Sequence, residues 1–132
     1  MELLVMENLP RVLIADPSAA IMERLATSLD GVADVMGCAT NARDALERIR
    51  NGCLHVAVMD IVIVNGVELL RQIKNHQPPV TVVILTHSAE DATRRQCLRH
   101  GADYFLDKIH DFDKVRKIVV SIGGERARGA LA

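Results

Sequence analysis

Four polar residues with distinct chemistry stand at or near the ends of short apolar runs. Asp16 follows Val-Leu-Ile-Ala, Asp60 follows Val-Ala-Val-Met, Thr86 ends Val-Ile-Leu-Thr, and Lys108 comes shortly after Tyr-Phe-Leu. A lone carboxylate in an apolar segment costs several kcal/mol unless it reaches solvent, a metal or a cation. Lys108 is the natural cation for Asp60 and Thr86 the natural hydroxyl donor, so we expect these side chains to share one site.

The elements that would position these residues alternate regularly along the chain. Short β-branched runs predict five strands, and apolar residues at helical spacing predict five helices between and after them. The predicted strands are 12–15, 32–38, 55–59, 80–85 and 104–106, and the predicted helices are the stretch between Ser18 and Asp30, then 42–49, 67–73, 89–100 and 112–122. Asn41 or Thr40 is the expected N-cap of the second helix, and Gly123-Gly124 is expected to end the last.

This alternation with short connections predicts an α/β fold with a doubly wound parallel sheet, helices on both faces and right-handed crossovers. The carboxyl ends of parallel strands lie at one edge of the sheet, where ligands bind in such folds. Four of the five predicted strand ends carry Asp16, Asp60, Thr86 and Lys108.

Composition narrows the class of protein. The 132 residues contain no Trp and one Tyr, so the core must be aliphatic, and the length suits one domain. The formal net charge of −1 argues against nucleic-acid binding, and no apolar run is long enough to cross a membrane. We expect a flexible N-terminal segment at 1–10 without a signal peptide, one domain at 11–122, and a flexible tail or linker at 123–132. The three scattered cysteines are read as buried, reduced thiols of a cytoplasmic protein.

Four motifs in this order resemble the receiver domains of bacterial two-component response regulators (CheY-like). They are Val-Leu-Ile-Ala-Asp at 12–16, Val-Met-Asp at 58–60 followed by Gly-Val-Glu-Leu-Leu at 66–70, Val-Ile-Leu-Thr at 83–86, and Gly-Ala-Asp-Tyr-Phe-Leu-Asp-Lys at 101–108. The likeness covers roughly residues 11–122. It implies a flavodoxin-like, five-stranded sheet with strand order 2-1-3-4-5, which places Asp16 beside Asp60.

The resemblance also implies a function in phosphorelay signal transduction. A histidine kinase or phosphotransfer protein would donate a phosphoryl group to Asp60, and the domain itself would not be an enzyme. Mg²⁺ would be held by Asp16, Asp60 and the backbone carbonyl of Val62. Lys108 would pair with one phosphoryl oxygen.

The same resemblance implies how the signal would leave the domain. Thr86 would hydrogen-bond a second phosphoryl oxygen, and Phe105 would then move inward. That movement would alter the face made by the fourth helix, fifth strand and fifth helix. This face would bind a downstream protein or a second copy of the chain, with no role in binding nucleic acid or membrane.

Three departures from the family pattern weaken the phosphate chemistry and leave the fold expectation intact. Pro17 stands where the family has a second acid, so Mg²⁺ binding should be weak. The loop from Asp60 to Gly66 is two residues shorter than in the family, which would misplace the carbonyl of Val62. Ile109 replaces the proline that usually follows the lysine. A degenerate pseudo-receiver, acting as a phosphorylation-independent interaction module, is therefore the alternative.

Some of these residues also have purely structural interpretations. Asp16-Pro17 could be an N-cap and first helical residue, with a site role equally open. A structural interpretation of Asp60 is less favoured than a site role, because no helix start is expected directly after it. An aspartyl phosphatase of the dehalogenase-like type is disfavoured, because Ser18 stands where that family needs a second acid. The five histidines show no metal spacing and are expected at surfaces or helix ends.

Overall fold

The computed structural model describes residues 9–64, 68–76, 79–87 and 89–131. Five parallel strands form one sheet in the order β2-β1-β3-β4-β5, as the resemblance implied. The strands are β1 (Arg11–Ala15), β2 (Asp34–Ala39), β3 (Val56–Met59), β4 (Thr81–Thr86) and β5 (Tyr104–Asp107). Their bounds lie within two residues of the predictions.

Within the residues that the structure describes, five helices and one four-residue helical turn lie between and after the strands. The helices are α1 (Ala19–Ser28), α2 (Ala42–Asn51), α3 (Glu68–Lys74), α4 (Asp91–Arg99) and α5 (Lys114–Leu131), and the single turn is Ile61–Val64. Asn41 is the N-cap of α2, where its Oδ1 accepts the backbone N–H of Asp44 at 2.8 Å. The predicted start of α3 at Val67 lies outside the described residues.

The core has two layers, one on each face of the sheet. Ala57, Met59 and Ile84 pack with α2 and α3 on one face, while Ile14 and Val58 pack with α1 and α5 on the other. The three central strands are buried on both faces apart from the first residues of β1 and β4. Each fully buried aliphatic side chain contributes about 1.5–3 kcal/mol by leaving water. This burial fixes the strand register and therefore the edge at which the polar residues appear.

The predicted end of the last helix at Gly123-Gly124 is wrong. Helix α5 continues through both glycines to Leu131, so residues 123–131 are helical rather than a loose tail. A Cβ on Gly123 would lie 3.3 Å from Cδ of the buried Pro10, so this glycine lets the helix pass close to the chain entering β1. Residues 1–8 of the N-terminal segment expected at 1–10 lie outside the described residues. The domain boundary at 122 stays a prediction.

The expectation that all three cysteines are buried is also wrong. Cys97 is buried, and burial raises the pKa of its thiol, but Cys38 and Cys53 are exposed. Cys38 lies on β2, an edge strand whose side chains alternate between exposed and partly buried positions up to the buried Ala39. No helix within the described ranges is both long and apolar enough to span a bilayer.

Candidate functional site

Backbone pairing between strands places the four polar residues at one edge of the sheet. Ala15 pairs with Met59 in the register of β1 and β3, and the N–H of Asp60 donates to the carbonyl of Ala15 at 2.9 Å. On the neighbouring strands, the N–H of Lys108 donates to the carbonyl of Thr86 at 3.0 Å. The sheet thus carries each residue to the edge that the sequence predicted.

The ammonium group of Lys108 lies between the two carboxylates. Its Nζ is 2.5 Å from Oδ2 of Asp60 and 2.7 Å from Oδ2 of Asp16. All three side chains are at most 5% exposed. Burial alone would lower the pKa of Lys108, but the hydrogen bonds and charges of the two carboxylates outweigh it and raise that pKa above its ordinary value. Lys108 therefore remains charged at neutral pH.

The remaining oxygen of each carboxylate accepts a backbone N–H. Oδ1 of Asp16 accepts from Ser18 at 2.8 Å, and Oδ1 of Asp60 accepts from Val62 at 2.7 Å. The N-cap interpretation of Asp16 is wrong, because Ser18 is the N-cap of α1 and its hydroxyl accepts the N–H of Ile21. Asp16 instead fixes the turn that leads into the helix.

Asp60 has a structural role that the sequence did not reveal. A helical turn begins directly after it at Ile61, and the Asp60 side chain accepts a backbone N–H of that turn in the manner of a cap. The N–H of Ile63 also donates to the Asp60 carbonyl at 3.0 Å. The expectation that no helix starts after Asp60 is therefore wrong, since this shortened connection coils instead of extending.

Thr86 and Phe105 lie on the same face of the sheet. Phe105 pairs with Ile84 in the register of β4 and β5, and Thr86 follows Ile84 by two residues, which returns it to that face. Thr86 and Phe105 are both buried, whereas Tyr104 is 40% exposed, so the two aromatic residues alternate as predicted. This geometry puts the hydroxyl and the aromatic ring in one layer of the core.

The turn after Lys108 depends on an acid that the sequence analysis did not single out. Oδ1 of Asp107 accepts the backbone N–H groups of Ile109 at 2.7 Å and His110 at 3.0 Å, and these bonds lower its pKa. The N–H of Asp107 in turn donates to Oδ2 of Asp111 at 3.0 Å. The two acids stabilise the turn at the position where the family has proline. Their spacing in the sequence was the signal that could have predicted this turn.

Comparison with known proteins identifies the class. The family model of the response regulator receiver domain matches residues 12–120, so the chain belongs to this family of two-component phosphorelay receivers. It is 29% identical over 116 residues to the regulatory protein AtoC of Escherichia coli (strain K12), a match covering 86% of this chain and 25% of AtoC. It is 26% identical to the signal receiver domain of NarL from Mycobacterium tuberculosis, with a TM-score of 0.74 over 92% of this chain and 98% of that one.

One relative shows how such domains occur in longer proteins. A protein-glutamate methylesterase/protein-glutamine glutaminase of Treponema denticola is 32% identical over 117 residues, which cover 84% of this chain and 32% of that enzyme. A receiver domain is typically not itself an enzyme, although this relative is named as one. The chain spans about a quarter of AtoC and a third of the methylesterase.

Receiver domains generally bind Mg²⁺ at their acidic pocket, but the residues of this pocket do not fit that ion. Pro17 offers no side-chain oxygen, and within the described ranges no three His, Cys, Asp or Glu side chains cluster in a way that could hold a metal. Val62 lies inside a helical turn, where carbonyls point toward the carboxyl end and therefore away from Asp60. Among the described residues, this pocket offers the carboxylates of Asp16 and Asp60, and both already contact the Lys108 ammonium.

Proposed function

We propose that Asp60 is the phosphoacceptor of this receiver domain. The observation that carries the proposal is the position of the Lys108 ammonium, 2.5 Å from Asp60 at the carboxyl edge of β3. A cation at that distance from the nucleophilic oxygen can bind the oxygens of an incoming phosphoryl group as the transfer proceeds. The donor would be a histidine kinase or a phosphotransfer protein, with which receiver domains in general interact.

The transfer itself needs few groups. A carboxylate oxygen of Asp60 bonds to phosphorus, and the phosphorus–nitrogen bond of the donor's phosphohistidine breaks. The electron pair of that bond stays on the imidazole nitrogen, which then takes up a proton. Lys108 keeps its contact with Asp16 and transfers its other hydrogen bond from Asp60 to a phosphoryl oxygen. No step is assigned to Mg²⁺, because the weak site expected at Asp16, Asp60 and the Val62 carbonyl lacks the ligands that this ion needs.

The signal would pass from the pocket to the surface through Thr86 and Phe105. These residues share one face of the sheet, so a hydroxyl that turns toward the phosphoryl group alters the packing beside the Phe105 ring. The face made by α4, β5 and α5 contains the exposed Tyr104 and would present the changed surface. Its proposed partner is a downstream protein or a second copy of the chain. We also propose the cytoplasmic location that the sequence led us to expect.

A second function is favoured by a specific observation. All four carboxylate oxygens of Asp16 and Asp60 already accept hydrogen bonds inside the protein, and Pro17 removes the family's second acid. A pocket satisfied in this way also suits a pseudo-receiver that binds its partner without phosphorylation. In that case Lys108 and the two acids serve to hold three strand ends together.

Treatment with a small-molecule phosphodonor distinguishes the two functions. The full chain is incubated with acetyl phosphate, with and without Mg²⁺, and its intact mass is measured. The phosphoacceptor proposal expects the added mass of one phosphoryl group, which disappears in Asp60→Asn and persists in Asp34→Asn, a control at an exposed carboxylate of β2. NMR shifts of Thr86 and Phe105 should change with labelling. An unlabelled protein with an unchanged spectrum in acetyl phosphate and in beryllofluoride would establish the pseudo-receiver.

A further inference from the structure

We infer that the cation of this pocket is the Lys108 ammonium instead of a divalent metal, and that Asp16 is a positioning residue that anchors Lys108. In the sequence-based interpretation Asp16 was a metal ligand. The inference deepens the proposed function, because it states how Asp60 would accept a phosphoryl group. Its metal-binding part stands even if Asp60 accepts none.

The geometry of the cluster supports this assignment. One Nζ contacts Oδ2 of both acids, at 2.5 Å and 2.7 Å, which are short distances for charge-assisted hydrogen bonds. The other oxygens are held by the N–H groups of Ser18 and Val62, so each carboxylate is fixed in orientation. Two of the three ammonium donors bond the acids, so release of Asp60 would free one of them for an incoming phosphoryl oxygen while the bond to Asp16 persists.

The charge of the cluster disfavours a metal at the same place. Lys108 is 5% exposed, so a dication bound between the acids would displace an ammonium group that has little access to water. Mg²⁺ also requires near-ideal octahedral oxygen coordination and gives up its water reluctantly. Pro17 supplies no ligand, and the helical turn after Asp60 directs the Val62 carbonyl away.

A third observation shows what Asp16 does in place of metal binding. Asp16 is held from both sides, by its backbone N–H to the carbonyl of Ala39 at 3.0 Å and by its Oδ1 to Ser18 at 2.8 Å. Its remaining oxygen meets Lys108. If Lys108 releases Asp60 to bind a phosphoryl oxygen, Asp16 keeps the ammonium within the pocket.

Restoring the missing acid tests the metal-binding part. Mg²⁺ is titrated into the full-length wild type, Pro17→Asp and Pro17→Asn, with calorimetry and ¹H–¹⁵N NMR as readouts. Position 17 is exposed, so both variants should fold. Because the added carboxylate attracts a dication strongly, Pro17→Asp should bind Mg²⁺ at least about tenfold more tightly than the wild type, and Pro17→Asn should not. Equal affinity in the wild type and Pro17→Asp would overturn the inference.

A readout on the wild type alone guards against misfolding of the variants. Mn²⁺ broadens NMR signals of nuclei close to its binding site, and the inference expects no selective broadening at Asp16, Asp60 or Ile61 of the wild type. Saturable broadening confined to these residues would place a metal between the acids and refute the ammonium assignment.

The positioning role of Asp16 is tested by Asp16→Asn, with Asp44→Asn as a control at an exposed carboxylate of α2. The side-chain NH₃⁺ signal of Lys108 should be protected from water exchange in the wild type and the control, and lost in Asp16→Asn. Labelling by acetyl phosphate should be equal with Mg²⁺ and with EDTA in the wild type, and reduced at least about tenfold in Asp16→Asn. An unchanged Lys108 signal in Asp16→Asn, or labelling that requires Mg²⁺, would contradict the inference. If no protein is labelled, the phosphoacceptor proposal fails, and the metal titrations still decide the rest.

Discussion

Replacing Lys108 by methionine should destabilise the domain strongly, because it leaves two buried carboxylates without a cation. The ammonium lies 2.5 Å and 2.7 Å from the two oxygens, and all three side chains are at most 5% exposed. Removing one partner of such a buried ion pair costs about 3–5 kcal/mol. That is a large share of the roughly 5–15 kcal/mol that stabilises a domain of ordinary size. We therefore expect Lys108→Met to lose at least about a fifth of the free energy of unfolding.

The measurement is urea unfolding at pH 7, followed by circular dichroism because the chain has no Trp. Lys114→Met is the matched control: its ion pair with Asp111 spans 2.9 Å but the Lys114 side chain is 60% exposed, so the loss should stay below about 1 kcal/mol. The double variant Lys108→Met with Asp60→Asn removes the ammonium and one of its carboxylate partners together, so it should recover part of the lost stability. A loss below about 1 kcal/mol for Lys108→Met alone would refute the buried triad.

Three further predictions concern other parts of the fold. His55 bonds Arg11, and burial first and then the charges of Arg126 and Arg11 lower its pKa from 6.5 to about 4. Because the pKa is lowered in the folded state, the protein should lose stability as the pH falls from about 6.5 toward 4. The loss should be about 1–2 kcal/mol after solvent screening. Urea unfolding should show that the stability of His55→Gln depends less on pH than that of the wild type. Gly124→Ala should stabilise the protein by about 0.5–1 kcal/mol in thermal unfolding. Gly123→Ala should stabilise it by less, because a Cβ at position 123 would lie 3.3 Å from Pro10. Equal gains in the two variants would argue against that packing. Asn41→Ala should cost about 1 kcal/mol in urea unfolding by removing the cap of α2, and no loss would contradict the capping bond.

The sheet could be predicted because its strands are short runs of apolar residues, which are stable only when they are buried. Val56–Met59 and Thr81–Thr86 are too short and too apolar for exposed helices, and they are bounded by polar residues. The site followed from the sheet, since strand ends meet at one edge. The apolar pattern supplied the strands and their polar ends, whereas the strand order that puts Asp16 beside Asp60 came from the family resemblance.

The details that failed depend on three-dimensional contacts. The turn at Ile61–Val64 consists of β-branched residues, which favour strands, and it coils because the Asp60 side chain accepts one of its N–H groups. Helix α5 passes Gly123 because Pro10 packs there, a contact between residues far apart in the chain. The exposure of Cys38 depends on β2 being an edge strand, which the strand order decides.

The contact of one lysine with acids from two other strands has a consequence for the order of folding. Asp16, Asp60 and Lys108 directly follow β1, β3 and β5, so a nascent chain presents both acids well before the lysine leaves the ribosome. Until then, closing the neighbouring strands would bury two like charges side by side, which is unfavourable. Synthesis of the last strand should therefore be the event that lets this edge of the sheet close, and a fragment ending before residue 104 should remain loosely packed there.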